Sequence, residues 1–318
     1  MKLLRRALLG ALAAPALARA QGGYPNRPIT IIVPYPPGGS TDNITRPVAV
    51  KLAEVLGQNV VIDNRGGAGG SIGAAVVAQA KPDGYTLLAF PTAVMTISPH
   101  MMRLPYDPAK DFVPISLLCM SEGVMAMHPK VPVRDIHGLI AYAKANPGKL
   151  RFSSAGNGTI TQMTGEIFAA AAGIQLEHIP YRGSAPALTA VMAGDVELQF
   201  DPVAIPAVKE GRLIGMAATG EFRSSELPDL PTLRELQLYG DGGLSFHALA
   251  GPAGMPPEVI TRLTTALEQV LAMPEVARIV APVGLRPRFE AGETFARRIA
   301  RDREIFGEAV RRTGAKVE

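Results

Sequence analysis

Two glycine-bearing loops carry the residues with the clearest chemistry. The first runs Tyr35-Pro36-Pro37-Gly38-Gly39-Ser40-Thr41-Asp42 and follows the β-branched strand run Ile29 to Val33. The helical spacing of Ile44, Val48, Leu52, Val55 and Leu56 comes directly after it. Ser40, Thr41, Asp42 and Asn43 are all capable helix caps. The second loop, Ser153-Ser154-Ala155-Gly156-Asn157-Gly158-Thr159, also joins a strand to a helix. A strand that turns through glycine into a helix start leaves backbone N–H groups aimed outward, and such groups hold anions. The chemistry on offer is capture of a small anion. Asp201, at the end of the alternating run Val196 to Phe200, and Tyr181 are further polar candidates.

Other chemistries lack residues. His100, His128, His137, His178 and His247 show no metal-ligand spacing, so no metal is expected. Cys119 lies in an apolar run with no evident base beside it. The Gly66–Gly70 loop has Ile72 where a dinucleotide fingerprint needs its third glycine, and it lacks the Gly-Lys-Ser/Thr ending of a phosphate loop. No cofactor is expected, and no nucleophile, base and orienter assemble.

The elements around these loops alternate strand and helix, which predicts α/β architecture with mostly parallel sheets. Strands are expected at Val60–Asp63, Tyr85–Phe90, Asp111–Leu118, Leu150–Ser154 and Leu176–Ile179. A second α/β block begins near Val124. A strand over Leu244–Leu249 returns to the first block, and three helices end the chain. Two crossings between two blocks is the topology of a hinged cleft.

The first twenty residues read as an export signal. Lys2, Arg5 and Arg6 precede an apolar stretch too short to span a bilayer, and Ala18-Arg19-Ala20 is a cleavage signature. Removing that segment takes away Lys2, Arg5, Arg6 and Arg19, four of the 32 basic residues, and leaves 28 against 28 acidic ones. A neutral mature chain is a poor nucleic-acid binder. A single cysteine permits no internal disulfide, which fits a bacterial periplasm. Without tryptophan, a sugar-stacking platform is not expected.

The runs Val33–Gly39, Asn64-Arg65 with its glycine loop, Pro82–Leu88, Leu104–Pro108, Lys110–Phe112, Ser154–Thr159, Pro180–Gly183, Pro186–Leu188 and Leu227–Thr232 resemble, in order and spacing, the solute-binding subunits of tripartite tricarboxylate transporters, the Bug or TctC family. The resemblance implies a two-domain periplasmic-binding-protein (type II, Venus-flytrap) fold. One domain would comprise residues 21–123 with 247–318, and the other 124–246. It implies a small carboxylate held between the domains and delivered to membrane permease subunits by a monomer. The family's binding loops fall on Tyr35, Pro37, Gly38, Gly39, Ser40, Thr41 and Asp42, on Thr92, on Ser153, Ser154, Asn157, Gly158 and Thr159, on Tyr181, and on Asp201. Gly66, Phe90-Pro91-Thr92, Thr161-Gln162 and Pro202 depart from the family's usual residues, so the site but not its substrate is implied. A receptor for a membrane sensor kinase and a periplasmic hydrolase are the competing expectations.

Overall fold

The computed structural model describes residues 23–239 and 245–315. The export signal, and Leu244 at the start of the expected return strand, lie outside the described residues.

The first lobe opens with β1 (Ile29–Val33), α1 (Ser40–Leu56), β2 (Val60–Asn64), α2 (Ser71–Ala78) and β3 (Thr86–Pro91). Two short helices, α3 (Thr92–Thr96) and α4 (Ser98–Met101), lead to β4 (Phe112–Ser121). The second lobe is β5 (Val124–Met127), α5 (Ile136–Ala145), β6 (Arg151–Ser154), α6 (Ile160–Ala172), β7 (Glu177–Pro180), α7 (Ser184–Ala193), β8 (Leu198–Phe200), α8 (Ile205–Lys209) and β9 (Ile214–Ala218). The chain then returns through β10 (Phe246–Pro252) to α9 (Pro257–Leu271), α10 (Pro274–Val280), β11 (Leu285–Ala291) and α11 (Gly292–Thr313).

Local sequence explains the helices. Ile44, Val48, Leu52 and Leu56 put one apolar stripe of α1 against Ile29, Ile31 and Val33. Burying each of these side chains contributes about 1.5–3 kcal/mol, and Leu52→Ala would cost about 2–5 kcal/mol. Gly57 ends α1 in the left-handed region, with its N–H on the Ala53 carbonyl. The Asp135 carboxylate accepts the Gly138 N–H at 2.8 Å and starts α5.

The first sheet has the order β11-β4-β10-β3-β1-β2, and the second β7-β6-β8-β5-β9. Both are mixed, which corrects the expectation of mostly parallel sheets. β1 runs parallel to β2 and β3, and β6 to β7 and β8. β10 runs antiparallel to both β3 and β4. The reason is geometric. The chain leaves the first lobe at the C-terminal end of β4 and re-enters at that same end, so the return strand must run against its neighbours. The Ser121 N–H on the Ser245 carbonyl (2.9 Å) sets the two crossings side by side.

α11 joins the lobes. Phe295 and Ile299 pack in the first lobe, where the Phe295 and Phe246 rings stand 5.8 Å apart. Phe306, Ala309 and Val310 pack in the second, with Phe168 and Leu139. Three strands have no counterpart among those expected from the sequence: β5, β9 and β11. β9 is Ile-Gly-Met-Ala-Ala, without a β-branched run, and β11 is an edge strand carrying Arg286, Pro287, Arg288 and Glu290.

Candidate functional site

A cavity of about 50 Å³ lies between the two sheets, room for a few water-sized groups. Tyr35, Gly39, Ser40, Thr41, Ser121 and His247 line it from the first lobe. Thr159, Thr161, Thr164, Ser184, Asp201 and Tyr239 line it from the second. Hydroxyl groups dominate this wall, and no Lys or Arg is among its described residues.

Three helix starts converge on the cavity. α1 begins after Gly39 and α7 after Gly183, and neither has a side-chain cap. The serine, threonine and acidic residues expected to cap α1 lie inside its first turn instead. The backbone N–H groups of Ser40, Thr41 and Asp42 on α1, and of Ser184 and Ala185 on α7, consequently have no hydrogen-bond partner among the described residues. α6 is capped by Thr159, whose hydroxyl accepts the Gln162 N–H, and the N–H groups of Ile160 and Thr161 are left open. Each helix end favours an anion by about 0.3–1 kcal/mol, and by ~2 kcal/mol where partly buried.

Asp201 sits where two of these helix starts meet. It directly follows β8 and is buried. Its Oδ1 accepts from Ser40 Oγ at 3.2 Å and from the Val203 N–H at 3.1 Å, and its Oδ2 accepts from Ser184 Oγ at 2.5 Å. Burial pushes its carboxyl upward, against the three hydrogen bonds that pull it down. Both serine protons point at Asp201, so toward the cavity Ser40 and Ser184 offer lone pairs and backbone N–H groups.

His247, on β10, was weighed in the sequence only as a metal ligand. It is buried, with Nδ1 3.1 Å from Thr41 Oγ1 and Nε2 3.3 Å from Ser121 Oγ. Burial pushes its ring down to about 3, so it is neutral at working pH.

The other sequence candidates stand outside this wall. Asp42 is turned into its own loop. Its carboxylate accepts from the Gly38 N–H (2.9 Å), Asn64 Nδ2 (3.0 Å) and Arg46 Nε (2.8 Å). Those bonds hold it below the usual carboxylate range, despite burial. Pro37 and Gly38 are exposed. Thr92 Oγ1 accepts the Phe246 N–H at 2.7 Å and ties β3 to β10. Ser153 Oγ bonds the Leu198 carbonyl, and Ser154 Oγ pairs with His178 Nε2 at 2.6 Å. The Gly158 N–H donates to Gln162 Oε1. Asn157 and Tyr181 line a second, outer cavity of about 270 Å³ with Gly69 and Arg182. Tyr35 lines both cavities, and its hydroxyl donates to the Gly69 carbonyl at 2.7 Å.

The stretch Gly69-Gly70-Ser71-Ile72-Gly73 has the spacing of a nucleophile elbow. Ser71 is buried at the start of α2, and no histidine bonds its hydroxyl among the described residues. Cys119 is buried in β4 and its thiol is pushed up by burial. Neither is an activated nucleophile.

The sequence profile of the "tripartite tricarboxylate transporter family receptor" matches residues 44–314. The chain belongs to this receptor family. A relative from a Pseudomonas strain, a protein of the tcbD–tcbE intergenic region, is 37% identical over 299 residues, 92% of this chain and 89% of its own. Among solved structures, a Rhodopseudomonas palustris protein with adipate superposes with a TM-score of 0.87 at 29% identity, covering 92% of this chain and all of the other. MatC from the same species, with bound malate, gives 0.83 at 28% identity, covering 90% of this chain and all of the other. The periplasmic binding protein BugD superposes with a TM-score of 0.87 at 30% identity, covering 93% of this chain and all of the other, and this chain has the same periplasmic-binding-protein fold.

Proposed function

We propose that this receptor captures a small carboxylate in the cleft between its lobes and delivers it to the membrane subunits of a tripartite tricarboxylate-type transporter. The observation that carries this reading is the convergence of the α1, α6 and α7 starts on one cavity, whose lining residues Ser40, Thr41, Ile160, Thr161 and Ser184 have backbone N–H groups without a partner among the described residues. A carboxylate accepts several such bonds at once, and no cation is required. The carboxylates bound by the two Rhodopseudomonas proteins support the same solute class.

Magnitudes say how the site must work. Micromolar affinity requires about 8 kcal/mol. Three helix ends supply at most ~6 kcal/mol in buried geometry. Closure of the lobes adds the rest by excluding water and strengthening each charge-assisted bond. The domains in this reading are 21–123 with 247–318 and 124–246. The pivot runs along the paired crossings and α11, which is anchored in both cores. Residues 1–20 direct export, so the receptor works in the periplasm and performs no chemical step itself.

A thermal-shift series on the unfolded, dialysed and refolded chain tests this. Solute at ~100 times its Kd adds about 2.7 kcal/mol of stability. A rise in Tm with succinate, malate, adipate or a tricarboxylate, and none with neutral sugars, is the expected result. No shift with any carboxylate would overturn the reading.

A further inference from the structure

The hydroxyl–imidazole–hydroxyl chain on the first-lobe wall has a property of its own. Thr41 Oγ1 and Ser121 Oγ each approach one nitrogen of His247, at 3.1 and 3.3 Å, and have no other hydrogen-bond partner among the described residues. All three residues line the cavity. A neutral imidazole has one N–H donor and one bare acceptor nitrogen. If Nδ1 holds the proton, it donates to Thr41, whose own O–H is free for the solute. Ser121 then gives its proton to Nε2 and presents only lone pairs. The other tautomer exchanges the two roles. In either state the wall shows one donor and one acceptor.

That pair matches a solute hydroxyl, which is itself one donor and two lone pairs. A methylene in the same place leaves both wall groups unpaired once the lobes close, a difference that sites of this kind convert into strong discrimination. The position of the solute hydroxyl also follows. Thr41 contributes both an open first-turn N–H and the relay hydroxyl, so a carboxylate on the former sets a neighbouring carbon beside the latter.

We propose that His247 is a specificity-determining residue, which through Thr41 and Ser121 selects carboxylates with a hydroxyl on the adjacent carbon over their deoxy counterparts. The inference rests on the carboxylate reading above.

Isothermal titration of the refolded chain with L-malate against succinate, and L-lactate against propionate, tests it. In at least one pair the hydroxy acid is expected to bind ~10-fold tighter or more. In His247→Phe the ratio is expected to fall below about threefold, because a phenyl ring cannot relay a proton. Thr41→Val removes one pole of the relay with little change of shape and gives the same collapse, so it serves if the His247 variant does not fold. Pairs that bind wild type without preference, or a preference that survives in a folded variant, would overturn the inference and leave the carboxylate reading standing. If no carboxylate binds wild type, both fall.

Discussion

The Ser40 hydroxyl of the first lobe donates a hydrogen bond to Asp201 of the second at 3.2 Å, and the other Asp201 oxygen accepts one from the Ser184 hydroxyl. One buried carboxylate thus sits against the starts of α1 and α7 and holds the lobes to each other. Asp201→Ala releases both serine protons toward the cavity and removes that bond. The expected outcome is a loss of about 1–3 kcal/mol in stability together with a changed rank order of bound carboxylates. An unaltered order in the thermal-shift series would contradict this role.

The first loop separates two kinds of glycine. Gly38 has φ +84°, a left-handed backbone, whereas Gly39 has φ −81° and faces Ser184, so that a Cβ added at Gly39 would lie 3.9 Å from the Ser184 Cβ, an ordinary contact. Gly38→Ala is expected to destabilise by about 1–2 kcal/mol. Gly39→Ala should fold as well as wild type. Gly39→Val wedges the α1 and α7 starts apart and is expected to abolish binding of every carboxylate in a folded protein. Circular dichroism and titration calorimetry on the three variants check both statements, and retained affinity in Gly39→Val would sink the first-loop assignment.

Glu122 lies in the first crossing between lobes and braces it from both sides. Its Oε2 accepts from Ser224 Oγ (3.3 Å), the Ser225 N–H (3.0 Å) and Ser225 Oγ (3.1 Å), and its Oε1 pairs with Arg286 on β11. Glu122→Ala leaves the cavity wall intact but frees the crossing. Affinities for all carboxylates should weaken by a common factor, with stability lower by about 1–3 kcal/mol. A change confined to one solute would show that Glu122 acts on specificity instead.

Much of this architecture was legible in the chain. The strand–glycine–helix clasps at Tyr35–Asp42 and Ser153–Thr159 were visible because their turn chemistry is local. The start of the second block near Val124 was placed within a few residues of the first crossing. What the sequence hid is tertiary. His247 reaches the cavity because β10 inserts between β3 and β4, Ser121 and Thr219 because they flank the crossing, and Tyr239 because it packs in the second-lobe core beside Thr164. Asp42 had the right type and place for a ligand contact. Only the fold reveals that Gly38, Asn64 and Arg46 already occupy its carboxylate.

Two kinds of burial-shifted group should oppose each other in acid. His178 and His247 are pushed by burial down to about 4 and about 3. Unfolded, they bind protons that the folded chain refuses, so they lower stability as pH falls below about 6.5. Asp302 on α11 is buried, its Oδ2 has no hydrogen-bond partner among the described residues, and burial raises it to about 6 despite Arg298 and Arg301. It is ionised in the unfolded chain from about pH 4 upward but resists ionisation when folded, so its penalty grows as pH rises from about 4 to 6 and is complete above that. Asp302→Asn is expected to raise Tm by several degrees at pH 7–8, with no gain at pH 3.5. His178→Phe should flatten the fall of Tm between pH 6.5 and 4. Melting curves across pH decide both.

The most direct test is a crystal structure of the refolded chain with the carboxylate that gives the largest thermal shift. The predicted result is a carboxylate group within hydrogen-bond reach of the open N–H groups of α1 and α6, at Thr41 and Thr161, inside the inner cavity. Density for the solute in the outer cavity beside Gly69 and Tyr181, or on the outside of either lobe, would contradict the account.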